Sequence, residues 1–299
     1  VIKYILILLL LFCKNDQKEQ RLKAQKIFGN IKVENPVDQK SIDLGKKLFF
    51  EKALSINNTF SCNSCHVIDN YGVSNGNVNV EISSILIKRN IPTVYNSSLQ
   101  NKQGWDGRFN SVKDISINSI FDKNKLGIPN QKHLVSKLKK LRYDNDFKEV
   151  DLPLNSDSVG LVLSRYIDTL VVRTRYDQWV DGEIDFNDDE ISGFKLFYSS
   201  NCQSCHSSST FGGKNLAKVG ILKHFDVKDE GRYYITMNES DRQVFKVPML
   251  RGITKTHPYF SDGSVNTLEE VIKIMGEYQL GKNFNEKQID QIKTFLLTL

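Results

Sequence analysis

The chain has too few cysteines for a disulfide framework: there are five in 299 residues, and four of them fall in two short clusters. It lacks a long apolar run. The longest, residues 4–12 behind Lys3, is too short to span a bilayer but suits the core of an export signal. Long apolar–polar alternation is also missing, which argues against a sheet-rich fold. The net charge of +6 is spread thinly, without a basic block or an aromatic and arginine stripe, so nucleic acid is not an expected partner.

What is present is the pentad C-x-x-C-H, twice: Cys62-Asn-Ser-Cys65-His66 and Cys202-Gln-Ser-Cys205-His206. Two thiols one helical turn apart can add to the vinyl groups of a porphyrin, and the next histidine can ligate its iron. The competing readings are a shared four-cysteine zinc site and a dithiol redox pair. The first would join pairs about 140 residues apart and leave both histidines idle. The second needs a βαβ context that neither cluster has. Two c-type haems are therefore expected, with His66 and His206 as proximal ligands.

The segments preceding the clusters look alike, Gly45-Lys-Lys-Leu48-Phe49-Phe50 against Gly193-Phe-Lys-Leu196-Phe197-Tyr198, which marks an internal repeat. Asn187 with Glu190, Thr267 with Glu270 and Asn285 with Gln288 read as helix starts. Leu134, Leu138 and Leu141, then Val159, Leu163, Tyr166 and Leu170, keep helical spacing, as do Ile289, Ile292 and Leu296. The expected class is mainly α, with two tandem cytochrome c-like domains and extended loops. The expected divisions are an export signal at 1–13, a polar tether at 14–34, an N-terminal domain at 35–175 and a C-terminal domain at 176–299. Leu10, Leu11 and Phe12 before Cys13 resemble a lipoprotein box in which Cys13 is lipidated; the alternative is a plain signal cut nearby. The expected location is the periplasm, with a membrane tether through Cys13.

Several segments together resemble the bacterial dihaem cytochrome c peroxidases, whose relatives include the haem enzymes maturing methylamine dehydrogenase. They are LGKKLFFEKALS, FSCNSCH, KRNIPTVYN, GWDGR, LFYSSNCQSCH, FKVPMLRG, HPYFSDGS, TLEEVI and MGEYQLGKNF, in family order from about Asn35 onward. The resemblance implies a peroxide-reducing haem in the N-terminal domain and an electron-accepting haem in the C-terminal one. It makes Met275 the second ligand of the C-terminal haem, although taken alone Met275 reads equally as a core filler. It places Trp105 between the haems, and it makes Asn90, Thr256 and Pro258 a calcium site of one amide and two backbone oxygens. It implies hydrogen peroxide as substrate and a small donor protein such as a monohaem cytochrome c or a cupredoxin. The family is commonly dimeric, so a homodimer is allowed, though no stretch declares an interface.

This chain also departs from the family pattern. The distal histidine falls on Ile82, the active-site glutamate on Lys125, a nearby glutamine on Ile115 and a histidine on Ser261. Asp114 and Asp122 are candidates to replace the lost carboxylate. The leading expectation is reduction of hydrogen peroxide to water. The alternatives are a dihaem electron carrier or redox sensor with little turnover, and an oxidase of a protein or organic substrate, which Met275 disfavours.

Overall fold

The computed structural model describes residues 16–33, 38–74, 89–225 and 228–299, with the backbone alone of 81–82 and 85–86. The described chain is mainly helical. Its helices are α1 (16–27), α2 (Gln39–Phe49), α3 (Cys62–Cys65), α4 (Val112–Phe121), α5 (Gln131–Lys140), α6 (Tyr143–Glu149) and α7 (Ser156–Asp168), followed by α8 (Arg175–Val180), α9 (Asp188–Ser199), α10 (Tyr233–Thr236), α11 (Leu268–Ile274) and α12 (Glu286–Leu296). Sheet among the described residues is limited to two antiparallel pairs, β1 (Glu81–Ile82) with β2 (Ile85–Leu86) and β3 (Leu216–Lys218) with β4 (Val244–Lys246).

Two apolar clusters organise these elements. The first gathers side chains of α2 and α4–α7, including Leu48, Phe49, Leu134, Leu138, Phe147 and Leu163. The second gathers α8, α9, α11 and α12 around Tyr176, Trp179, Phe194, Phe211 and Phe295. The helix starts are capped as the sequence suggests: Asn187 and Glu190 form a reciprocal box, Asn285 and Gln288 another, and Thr267 accepts the Glu270 amide. Leu141 departs from its expected core role and is 48% exposed, because α5 stops at Lys140 and the helical face stops with it.

The expected tether needs correction. Residues 16–27 form helix α1, which is docked on the second cluster. Gln17 accepts from the buried Trp179 indole at 2.8 Å and donates to the Phe186 carbonyl at 2.7 Å, while Phe28 stacks on Phe211 with centroids 4.2 Å apart. Amides that bury themselves by hydrogen bonding leave no apolar signature, so the segment reads as solvated from its sequence. Cys13 and the export signal lie outside the described residues.

The repeated glycine explains how each cluster closes. A Cβ on Gly45 would lie 1.9 Å from the Val162 carbonyl oxygen of α7, and one on Gly193 would lie 2.0 Å from the Gln291 carbonyl oxygen of α12. Each glycine is therefore the point at which the helix before a C-x-x-C-H cluster meets a later helix at backbone distance. Beside the second crossing lies a fully buried ion pair. Arg251 makes two bonds to Asp177, 2.6 and 2.8 Å long, and donates to the Ser209 carbonyl; Asp177 also accepts the Ile31 and Thr174 amides.

Two stability predictions follow from this packing. Gly45→Ala and Gly193→Ala each gain about 1 kcal/mol of helix propensity, but overpacking at a crossing costs about 1–3 kcal/mol and helices this close must separate. Both variants should lower the denaturant midpoint, and a raised midpoint would refute the crossing. Asp177→Asn leaves the Arg251 charge buried without its anion, so a loss of about 3–5 kcal/mol is expected in the same titration.

Candidate functional site

The two cysteine clusters fold by one local rule. In each, the histidine amide returns to the carbonyl of the first cysteine, His66 to Cys62 at 2.9 Å and His206 to Cys202 at 3.0 Å. That single turn puts both thiols and the imidazole on one side of the chain. His66 Nδ1 then faces the Gly72 carbonyl at 3.3 Å, with the Pro92 carbonyl as a further acceptor. His206 Nδ1 faces the Phe211 carbonyl at 3.1 Å, with Pro248 in the matching role.

Burial is the main influence on both imidazoles, pushing His66 down to about 4 and lowering His206, so each ring is neutral. A neutral ring whose Nδ1–H is given to a carbonyl keeps the Nε2 lone pair for a metal. Pro92 and Pro248 escape the sequence reading. The signal available was the likeness of Ile91-Pro92-Thr93 to Val247-Pro248-Met249, a second stretch of the internal repeat.

The thiols bear on the rival readings. All four cysteines are free, and burial pushes Cys62 and Cys202 up to about 12 and Cys65 to about 11. A redox dithiol needs the opposite shift, toward thiolate. Among the described residues no three His, Cys, Asp or Glu side chains gather into a metal-binding group, so the four cysteines do not converge on one ion. Unpaired thiols side by side, each pair next to an imidazole with a free Nε2, are the donor set that a covalently attached haem uses. The residues present fit that group at both sites.

The loop 97–109 and strand β4 meet in a seam. The Trp105 indole donates to the Asn90 carbonyl at 2.7 Å, and the Trp105 carbonyl accepts the Lys246 amide at 2.7 Å. The neighbouring Asp106 is clamped by Arg108 through two bonds, 3.0 and 2.7 Å, and by Arg89 at 2.6 Å. Burial works to raise Asp106, but the two guanidiniums outweigh it and hold the carboxyl below its usual range. Arg89 also grips Asp229 by two bonds, tying the GWDGR turn to the loop before α10.

The other expected site residues are found as follows. Asn90 donates its side-chain amide to the Pro258 carbonyl at 2.5 Å, and its backbone amide to the carbonyl of buried Ser261 at 2.6 Å. Thr256 lies two residues before Pro258 in the same loop, its hydroxyl on the Ile253 carbonyl. Met275 follows α11 and opens a π-helical turn over Met275–Gln279, where Gly276 is pressed against Phe284. Lys125 is mostly covered and donates to Ser119 Oγ at 3.1 Å; burial lowers its pKa, and its charge is felt at Cys65 and His66. Of the two candidate acids, Asp114 is exposed and bonded to Ser111 at the start of α4, while Asp122 accepts the Asn124 amide in the turn that carries Lys125. Ile115 is half-buried in α4. Ile82 lies in β1, and its side chain is outside the described residues.

The profile of the di-haem cytochrome c peroxidases matches residues 39–185. The cytochrome c551 peroxidase of Nitrosomonas europaea is 35% identical over 277 residues, which span 90% of this chain and 82% of that protein. The methylamine utilization protein MauG of Methylophilus methylotrophus is 28% identical over 251 residues, 81% of this chain and 73% of that protein. A solved MauG-like protein associated with microbial copper homeostasis shares the fold with a TM-score of 0.78 at 23% identity, covering 90% of this chain and 92% of that one. With its two C-x-x-C-H loops and a family member more than a third identical across most of both chains, this protein belongs to the di-haem cytochrome c peroxidase family.

Proposed function

We propose that the chain is a peroxidase carrying two c-type haems, one in each of two cytochrome c-like domains (35–175 and 176–299), and that it reduces hydrogen peroxide to water with electrons from a small donor protein. The observation that carries this reading is the pair of C-x-x-C-H loops, each closed by a histidine amide bonded to its first cysteine's carbonyl and each with a buried, carbonyl-tied histidine. When bound, the haems supply iron for peroxide reduction at the Cys62–His66 site and electron storage at the Cys202–His206 site. Each turnover consumes one peroxide, two electrons and two protons and yields two waters. A monohaem cytochrome c or a cupredoxin is the donor class that suits this chemistry, and the periplasm is where such donors meet the chain. No helix among the described residues is long and apolar enough to cross a membrane. A homodimer and a lipid on Cys13 remain part of this proposal.

The chain's own residues take distinct parts. Gly72 and Phe211 orient the two imidazoles through Nδ1. Trp105, fixed at its indole by Asn90 and at its carbonyl by Lys246, holds an aromatic ring between the two sites. Met275 is the proposed second ligand of the C-terminal haem; thioether ligation raises an iron's potential, which fits an electron-accepting site. A calcium site of the Asn90 side-chain oxygen and the Thr256 and Pro258 carbonyls is part of the proposal; the fold brings the Asn90 side chain and the Pro258 carbonyl together, here through the Asn90 amide nitrogen.

Lys125 takes the place of an acid–base carboxylate. Burial favours its neutral amine, the form that can accept a proton. Asp114, capping its own helix in solvent, is a poor substitute. The second reading, a dihaem carrier or sensor with little turnover, is favoured by this same lysine.

Oxidation of a reduced donor cytochrome by peroxide separates the two readings: continuous turnover is expected, and a single stoichiometric oxidation would leave the carrier. The intact mass should exceed that of the polypeptide by two haems, Cys62→Ala losing the attachment at one site and Cys202→Ala at the other; zinc in their place would overturn the assignment. The activity of the parent should rise with pH, because Lys125 acts as base only when deprotonated and its pKa is lowered from the ordinary lysine value. Lys125→Glu should flatten that rise and raise turnover at pH 7, within the ~10²- to 10⁴-fold that a positioned acid–base group contributes. A slower variant would mean that the amine serves this site better than a carboxylate does.

A further inference from the structure

We propose that Lys246 is a haem-binding residue whose ammonium pairs with a propionate carboxylate of the haem attached at Cys202 and Cys205. The inference rests on the two-haem reading and adds to it a residue that grips the porphyrin edge.

Lys246 calls for an anion that the described residues of the polypeptide do not provide. Lys246 is only 8% exposed, and its side chain sits deep in the seam. Two arginines set into the fold have carboxylates against them: Arg251 has Asp177, and Arg89 has Asp106 and Asp229. Among the described residues Lys246 has none. Its ammonium donates to one neutral atom, Gln100 Oε1 at 2.6 Å. Burial alone acts on it, pushing it down to about 8 with no opposing charge. A long cationic side chain buried with one acceptor for three N–H groups is a poor core residue, since buried charges need a partner. A porphyrin propionate is the carboxylate that such a chain acquires with its cofactor.

Position selects the haem. Lys246 ends β4, two residues before Pro248, whose carbonyl serves His206. Gln100 is wedged against Gly213, where a Cβ would come within 2.4 Å of Gln100 Cγ, and its amide nitrogen is directed at Met249 Sδ, 3.8 Å away. Gly213 closes the loop that starts at His206. Gln100 thus orients the ammonium from the side without neutralising it. The Lys246 backbone amide, bonded to the Trp105 carbonyl, links this contact to the seam.

The test uses the full-length holoprotein and three variants, Lys246→Met, Lys246→Gln and Lys246→Arg, with haem content, midpoint potentials and propionate Raman bands measured for each. Both haems should stay attached in all three. In Lys246→Met and Lys246→Gln the C-terminal haem should become harder to reduce, because an uncompensated propionate favours the ferric iron. A tenfold change in its reduction equilibrium, ~59 mV for one electron, is expected. The propionate bands of that haem should move with it, and Lys246→Arg should restore most of both shifts. Unchanged potential and bands in a protein that holds both haems would overturn the proposal alone, as would a shift confined to the N-terminal haem. Absence of haem from Cys202 and Cys205 would overturn the underlying site as well.

Discussion

Backbone contact between helices at Gly45 and Gly193 is the constraint on which the rest of the molecule depends. Each glycine lets the helix before a cysteine cluster lie directly on a later helix, α2 on α7 and α9 on α12. Side chains flanking the crossing then fill one core apiece, with Leu48 and Phe49 in the first and Phe194 and Phe197 in the second. Because the C-x-x-C-H turn follows within about 20 residues of each crossing, a shift there is passed to the thiols and the imidazole. Two copies of one packing solution therefore set both candidate haem sites.

The functional parts lie elsewhere, in loops held by hydrogen bonds more than by apolar packing. His66 and His206 are aimed by carbonyls, Trp105 by the Asn90 carbonyl and the Lys246 amide, and Asp106 by two guanidiniums. Such bonds are worth about 1 kcal/mol each in stability, but their directionality fixes orientation. That suits a seam whose task is to hold an indole and two imidazoles at set angles. The second core adds a stronger device, since Arg251 and Asp177 are both fully buried and bind four separate segments of chain: the arm at Ile31, the turn at Thr174, the loop at Ser209 and the stretch after Pro248.

Against this shared frame the two sites differ in their surroundings. Near His66 stands Lys125, which in turn feels the charges of Asp122, Arg108, Asp106 and Arg89. Around His206 the neighbours are Phe211, Tyr176 and the aromatic core, a neighbourhood suited to holding an electron with little reorganisation. That contrast supports the division of labour proposed for the haems.

The sequence by itself determined the chemistry and the helical class. Cys62, Cys65, His66 and their counterparts are close in the chain, so their spacing alone marks a candidate attachment turn, and helix caps such as Asn187–Glu190 are equally local. Tertiary structure alone decided what depends on distant partners. Helix α1 joins the second core through Gln17 and Trp179, 162 residues apart, and no local pattern encodes that bond. Pro92 and Pro248 matter through carbonyls, which carry no residue identity. Asp114 and Asp122 read alike as acids, yet one faces solvent and the other caps a turn, because burial is set by which helix covers them. Lys246 looks like any lysine until β4 carries it to a buried position where, among the described residues, no carboxylate pairs with it, and only the folded chain creates that lack.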